Sequence, residues 1–420
     1  MKNFLETKRL RLDCLTPIHI GSGNKLNKNE YIFDKNNGVV YLLQQNKWLE
    51  FLYNYEPEKP KQEMNAIRVK GFEALAQAMG RKTKDFLQEY KKFIINNAGS
   101  KNLKSLYQWC RDNDIKMSAA AKCALAKTYI NSEKNDLSDM MPFMRHADGS
   151  IYIPGSSIKG AVRTALLYEM IKKAPQYNSW QRELKNINPH DKKTYGKLAK
   201  TIEKAVFNKY TGFVDNKGVV TDARADIMRG LRIGDAELCD KGTKTQIYRK
   251  YDISLHKNKQ GESVRRLPLY RECAPSGSSF EFAVTLEKQF LQGTGIDSIE
   301  DVFKITNSYA AEIISMEKSV FDQYGEYWNG KENMANIIIG GGTGFLTKTI
   351  IYALLPRQEA VNVVKNYLDS SFTTYDRKAH GRVPAHNHKI LDTKLSPRTL
   401  KVAGDVNKMY HMGLGQIIIN

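Results

Sequence analysis

Ile151-Tyr-Ile-Pro-Gly-Ser-Ser-Ile-Lys-Gly-Ala-Val-Arg-Thr-Ala-Leu-Leu-Tyr-Glu-Met170 is the stretch on which the reading of this chain turns. Ile151, Tyr152 and Ile153 favour a strand, Pro154 and Gly155 stop it, and Ser156 or Ser157 can cap a helix by accepting a backbone N–H. In the helix that follows, Ile158, Ala161, Val162, Ala165 and Met170 recur every three to four residues and face a core. Lys159 and Arg163, four apart, share a neighbouring face. A helix N-terminus with free N–H groups, two hydroxyls and two cations predicts an anion site suited to phosphate. The plain alternative is a solvated basic face with no ligand. The same letters spell Ser156-x-x-Lys159, a nucleophile pattern of serine acyl-transfer enzymes, but the companion S-D-N and K-T-G triplets are absent, which argues against that chemistry.

The chain has 420 residues, long enough for two domains, and its 65 Lys plus Arg against 45 Asp plus Glu give a formal charge of +20. Such a balance selects a polyanion as partner. No run approaches the ~20 apolar residues that span a bilayer, so no membrane contact is expected. The opening MKNFLETKRLRL places charges where a signal peptide needs apolar residues, and the protein is read as cytoplasmic. Cys14, Cys110, Cys123, Cys239 and Cys273 contain no C-x-x-C pair, so neither a zinc site nor a disulfide framework is expected. No metal and no cofactor follow from the sequence.

A first strand around Leu10 and Leu12 runs through His19 into the Gly21-Ser22-Gly23 loop, with Lys25 and Lys28 beyond it. His19 is a possible general base without an evident partner; packing or one hydrogen bond is the simpler role. Residues 31–33 and 39–43 flank hairpin turn residues, and Trp48, Leu49, Leu52 and Tyr53 share one helix face. A helical insertion is expected over about 55–135. Residues 172–209 hold ten Lys or Arg against three Asp or Glu, which predicts a basic arm (about 172–218), either solvated or facing RNA. Residues 231–238 alternate as one strand, and 265–271 and 279–286 as two more. Residues 241–272 carry nine Lys or Arg, including Arg249, Lys250, Arg265 and Arg271, with Tyr248, Tyr251 and Tyr270 interleaved. Cations and rings together suit phosphates and stacked bases, on an exposed hairpin.

Residues 305–324 read as a helix. After it, Ile337-Ile-Ile-Gly-Gly-Gly-Thr-Gly-Phe-Leu-Thr-Lys-Thr349 leads an apolar strand into a glycine loop. Gly341, Gly342, Gly344 and Phe345, with Lys348 nearby, predict a backbone nest for phosphate. Both G-x-G-x-x-G registers fail, at Phe345 or Thr347, and a Walker loop would need glycine at Thr347, so a nucleotide cofactor is not indicated. Residues 377–401, with His380, His386 and His388, read as a mobile basic loop, and a last strand closes the chain.

Leu15-Thr-Pro-Ile-His-Ile-Gly-Ser-Gly23, the segment from Ile153 to Arg163, Ile233-Gly-Asp-Ala-Glu237 and Gly340-Gly-Gly-Thr-Gly-Phe345 together resemble the RAMP superfamily of CRISPR-associated proteins. Their order and the chain length are most similar to the fifth Csm subunits of type III-A effector complexes. The resemblance implies an α+β fold of two ferredoxin-like, RRM-related domains, 1–220 and 221–420, with a helical insertion, a protruding thumb hairpin near 240–265 and the glycine-rich loop 340–345. It further implies an RNA-binding subunit of an antiviral ribonucleoprotein that holds the 3′ portion of the guide RNA (crRNA), caps the filament and supports guide maturation. Its implied partners are the guide RNA, neighbouring backbone and small subunits, and host nucleases that trim the 3′ end. Carried onto this sequence, phosphate contacts fall on Gly21, Ser22, Gly23, Ser156, Ser157, Lys159, Gly160, Arg163 and the 340–345 loop. The rival role in the superfamily is a metal-independent endoribonuclease that cleaves precursor guide repeats with a positioned histidine; a further relative cuts target RNA with a loop aspartate. This chain offers His19 without a second catalytic partner, and no Asp in residues 21–29. A binding subunit and not an enzyme is therefore expected.

Overall fold

A computed structural model of the chain describes residues 4–55, 86–97, 104–131, 137–215, 218–257, 261–328, 330–404 and 408–419. The chain forms two compact units, one of Met1–Gly23, Asn131–Glu133 and Pro142–Asn420, the other of Asn24–Ile130 and Lys134–Met141. Among the described residues no helix is long and apolar enough to cross a membrane.

The first unit is built on an antiparallel sheet ordered Ile337–Ile338, Leu414–Ile419, Leu5–Cys14, Ser279–Glu287, Ala236–Leu238, Tyr152–Ile153, with Leu231–Ile233 also pairing Ser279–Glu287. Leu10, Leu12 and Cys14 alternate into the core as a half-buried strand requires. In chain order the principal elements run strand 5–14, helix Gly155–Lys172, strands 231–238, strand 279–287, helix Ile299–Phe321, strand 414–419. That is β-α-β-β-α-β, with the fourth strand beside the first, the first beside the third and the third beside the second, the ferredoxin-like arrangement. The expectation of one such unit in each half, joined near residue 220, does not describe this sheet. Strands from both sides of 220 pair in it, because the last strand returns to the first, with Leu10 opposite Ile419.

Helices Gly155–Lys172 and Ile299–Phe321 lie side by side. Tyr168 and Tyr309 meet edge to face at 5.0 Å, and Tyr168 and Lys172 both bond Glu312, at 2.8 and 2.7 Å. The second helix starts at Ile299, earlier than its apolar spacing suggests, because Ser298 accepts the Asp301 N–H at 3.1 Å and Glu300 and Asp301 favour the first turn. The stretch 231–238 breaks at Gly234-Asp235 into two strands. Asp235 there accepts the Gly155 N–H at 2.8 Å, so neither Ser156 nor Ser157 caps the helix, whose N-cap is Pro154.

The lysine-rich stretch expected to be an arm folds as helices Tyr177–Asn186 and Lys192–Phe207. Trp180, Leu184, Leu198, Ile202, Val206 and Phe207 are buried in the main core; its cations hid a sparse but regular apolar face. Also in this unit, Gln246–Ser254 pairs with Val264–Cys273 on one side and Thr399–Gly404 on the other, and Thr399–Gly404 pairs with Met409–His411. The expected hairpin is thus part of a larger sheet, and Tyr248, Tyr251 and Tyr270 are buried. They are not free stacking faces. The tip of the expected thumb falls partly on 258–260, outside the described residues. The stretch 377–401 is no simple loop: it includes strand Gly381–Pro384 and a buried ion cluster in which Asp392 bonds His388 (2.9 Å), Ser396 (2.6 Å) and Arg398 (2.6 Å).

The second unit contains the hairpin Tyr31–Asp34 and Val39–Leu43, paired with Ala124–Asn131. Against it stand helices Gln45–Asn54, Phe86–Asn97 and Leu106–Asp112, joined through Trp48, Tyr90, Phe93 and Trp109. Trp48 and Leu52 are buried, whereas Leu49 and Tyr53, expected on the same face, are exposed. Most of the expected insertion between 56 and 85 lies outside the described residues, as does 98–103.

Two substitutions test this architecture. A Cβ at Gly155 would overlap the Ile233 carbonyl oxygen, so Gly155→Ala is expected to cost about 1–3 kcal/mol in denaturant unfolding. Arg163 bonds Glu203 (2.9 Å) and Asp226 (2.9 Å) and lies 4.0 Å from the Phe207 ring centroid. Arg163→Ala is expected to remove about 1–2 kcal/mol and lower the melting temperature; unchanged melting would show that this pairing carries no stability.

Candidate nucleic-acid interface

Three stretches far apart in sequence line one cleft of about 470 Å³ in the first unit: 19–21, the helix face of Ser157, Gly160, Ala161 and Thr164, and residues from 338 to 348. Backbone bonds fix their meeting. Gly341 N–H donates to the His19 carbonyl (2.8 Å), Ile339 N–H to Gly413 (2.8 Å) and Gly413 N–H to Pro17 (3.0 Å). Gly340, Gly342 and Gly344 have φ of +97°, +96° and +99°, a conformation that glycine alone adopts without strain. A Cβ at Gly340 would also come within 2.5 Å of the His19 carbonyl. Beyond the loop, Tyr309 Oη donates to the Thr347 carbonyl at 3.0 Å, and the Thr343 and Thr347 hydroxyls lie 2.9 Å apart. On the opposite wall a Cβ at Gly160 would meet nothing within 4 Å. The cleft therefore presents the small residues Ser157, Gly160, Ala161 and Thr164 on one side and a curled glycine backbone on the other. Its lining contains one charged side chain, the exposed Lys348.

His19 sits at the cleft floor with 3 % of its surface exposed. Its Nδ1 is 2.6 Å from the Glu272 carbonyl oxygen; a carbonyl only accepts, so Nδ1 carries the hydrogen and Nε2 is a bare acceptor. Burial drives the imidazole pKa down to about 4, with the Arg271 charge acting in the same direction and the Glu272 hydrogen bond opposing them. The ring is thus neutral near pH 7. Glu272 is itself fixed: its buried carboxylate accepts from Phe143 N–H (2.8 Å) and the Thr245 hydroxyl (2.5 Å) and pairs with Arg145.

Of the residues singled out in the sequence, His19, Gly21, Ser157, Gly160, Lys348 and, from the 340–345 loop, Gly340, Gly341 and Thr343 come together here. The others stand apart from the cleft lining. The first N–H of the helix is taken by Asp235, and Ser156 is exposed. Arg163 is held in its ion-pair cluster. Lys159 is half-buried; burial lowers its pKa, Asp226 opposes this, and Arg163 and Arg232 add to it. The Ser22 N–H donates to the Pro142 carbonyl (3.2 Å), and Gly23 turns the chain at φ +85°. Lys25 pairs with Asp139 at 2.5 Å in the second unit. Arg249 donates to the Leu267 carbonyl (3.1 Å), and Arg265 is opposite Asp252 in the strand register. Lys250 lies 3.6 Å from Asp252, which Lys401 also approaches at 2.6 Å. Arg271 packs behind Gly341 and Gly342. Phe345 is half-buried against the core. The cleft also uses Thr164 and Thr347, which the sequence reading missed. Residues 157, 160, 161 and 164 follow a three-to-four spacing of small side chains that marks such a face.

The RAMP superfamily family model matches residues 11–345. Similar proteins include the CRISPR system Cms protein Csm5 of Mycobacterium tuberculosis (strain H37Rv), 23 % identical over 437 residues and covering 100 % of this chain and 99 % of the relative. That of Streptococcus thermophilus is 26 % identical over 290 residues, 68 % of this chain and 65 % of the relative. Among solved structures, a chain of the cryo-EM Csm–crRNA–target RNA ternary complex of a type III-A CRISPR-Cas system superposes with TM-score 0.53 at 15 % identity, covering 99 % of this chain and 100 % of the other. The crystal structure of T. onnurineus Csm5 gives 0.52 at 14 % identity, with 97 % and 99 % covered. The structural likeness shows a shared fold, and the family match covers the first two cleft-forming stretches and the third as far as residue 345. The chain belongs to the RAMP superfamily of CRISPR-associated proteins and resembles the Csm5 subunits of type III-A Csm complexes.

Proposed function

We propose that this protein is a guide-RNA-binding subunit of a type III-A Csm effector complex, holding the 3′ portion of the crRNA backbone in the cleft between Gly160 and the 340–348 loop. In that role it caps the filament beside backbone and small subunits in the cytoplasm and supports guide maturation, with 3′ trimming left to host nucleases. One observation carries the reading: Gly160, with small side chains around it on the helix, faces the glycine loop across an open cleft in a chain of charge +20. Backbone N–H groups and open approach suit phosphates whatever the base, and net charge supplies attraction at long range. Binding without cleavage is supported by His19. Its ring, with the pKa lowered, is a weak base, and Lys348 is the one other titratable group among the described residues lining the cleft.

The reading predicts that affinity for single-stranded RNA falls steeply with salt, log K against log salt having a slope near about −3.5 for about five phosphate contacts. Gly160→Glu places a carboxylate in the cleft and is expected to weaken binding about tenfold or more. The same change favours the helix by about 0.5–1 kcal/mol. Lost affinity with equal or higher melting temperature is therefore the expected pair of results; unchanged affinity would place the RNA elsewhere.

His19 generates a separate expectation. Its folded pKa lies below the unfolded value of 6.5, so the unfolded chain binds the proton first, and the stability from the neutral ring is complete above pH 6.5 and lost as pH falls toward about 4. His19→Asn keeps an amide donor for the Glu272 carbonyl without a titrating group. Between those pH values the wild type is expected to lose about 3 kcal/mol more stability than the variant, measured by denaturant unfolding. Neither protein should cleave a repeat RNA under single-turnover conditions; specific cleavage that vanishes in the variant would replace the binding role with an endoribonuclease.

A further inference from the structure

The second unit carries its own basic cleft, of about 400 Å³, lined by Lys28, Lys35 and Arg111 together with Phe33, Tyr107 and the buried Tyr31. The cations come from three places: the loop before strand Tyr31–Asp34, the turn after it, and helix Leu106–Asp112. None of the three has a carboxylate partner among the described residues. The acids on the same elements are committed elsewhere. Glu30 accepts the Asn27 N–H (2.8 Å), Asp34 accepts from Asn37 Nδ2 (2.7 Å) and the N–H of Asn36 (3.1 Å), and Asp112 pairs with Lys104. The helix start is also closed, since Ser105 and Gln108 form a reciprocal capping box. Any anion here is held by side chains. The wall is fixed, because Tyr31 Oη bonds the Leu137 and Ser138 carbonyls at 3.2 and 2.6 Å. Phe33 and Tyr107 are only half-buried, so aromatic surface borders the cations.

Uncompensated cations beside half-exposed rings form the combination that takes a phosphate and a base together. An acidic peptide would use the charges and leave the rings idle. The volume lies within the ~300–1,000 Å³ of small-ligand clefts, enough for one nucleotide and too small for a duplex. We propose that this cleft is a second nucleic-acid site, holding a single nucleotide of single-stranded RNA with its phosphate on Lys28, Lys35 and Arg111 and its base against Tyr107 or Phe33. The site is independent of the glycine-loop cleft.

Adenosine 5′-monophosphate, titrated against the full chain and followed by ligand-observed NMR, is the direct probe. Saturable binding is expected in the wild type and in Gly160→Glu, with a loss of about tenfold in Lys28→Ala with Arg111→Ala, all of whose changes are at least partly exposed and should leave melting unchanged. Adenosine without phosphate and inorganic phosphate should each bind more weakly than the nucleotide. With an oligouridylate, the triple variant Lys28→Ala, Lys35→Ala, Arg111→Ala should flatten the salt slope by about 0.7, the value for one phosphate contact. Failure of Gly160→Glu to affect RNA would count against the first cleft alone. The second is overturned if AMP does not bind, if it binds the double variant as well as the wild type, if inorganic phosphate competes equally, or if an oligoglutamate displaces RNA from this cleft more readily than AMP does.

Discussion

The pairing of the last strand with the first governs the molecule. Leu414–Ile419 lies along Leu5–Cys14, with Leu12 opposite Ile417, so the two ends of the chain close the sheet. Everything that makes the first cleft follows from this closure. The Gly413 turn before the last strand bonds both Pro17 and Ile339, and the glycine loop after Ile339 bonds His19. Such a pairing carries the loop-closure entropy of nearly the whole chain, which grows slowly with length. It therefore tolerates large insertions between the core elements, and the second unit is one of them.

Charge and shape divide the work in this protein. Several cations nearest the sequence motifs are used internally: Arg163 by Glu203 and Asp226, and Lys25 by Asp139. The net charge of +20 still sets a long-range field that attracts a polyanion. On the proposed reading, local recognition in the first cleft falls to the glycine loop, with Lys348 the one charged side chain among the described residues lining it. A site of this kind reads the path of a phosphate chain and not the identity of its bases.

The parts of the fold legible in the sequence were those with a local physical signal. Pro154-Gly155 marked a helix start, the alternation at Leu10 and Leu12 a strand, and the 340–345 glycines a loop that needs positive φ. Each was legible because its cause lies within a few residues. Arg163 was misread because its partners are 40 and 63 positions away. Tyr248, Tyr251 and Tyr270 were misread because the strand Thr399–Gly404, distant in sequence, turns an apparent free hairpin into part of a sheet. A ferredoxin-like fold was expected from the resemblance, but its strands were assigned to separate halves because long insertions stand between them.

His19 shows how the cleft is held in one state. It follows the first strand, while Ile18 and Ala274 exchange backbone bonds of 3.0 and 2.9 Å and the His19 ring bonds the Glu272 carbonyl. The cleft floor is thereby tied to strand Val264–Cys273, whose Glu272 carboxylate is locked by Phe143, Thr245 and Arg145. A charged imidazole in this place would be buried beside Arg271 with no carboxylate at hydrogen-bond range, so the neutral form is the one the packing accepts. A neutral ring does not attract phosphate by charge, and with its pKa lowered to about 4 it is a weak acceptor of protons. Its contribution is rigidity: the His19 carbonyl accepts the Gly341 N–H and the ring bonds the Glu272 carbonyl, so the glycine loop above it is held in one position, which is what the proposed RNA-holding role needs.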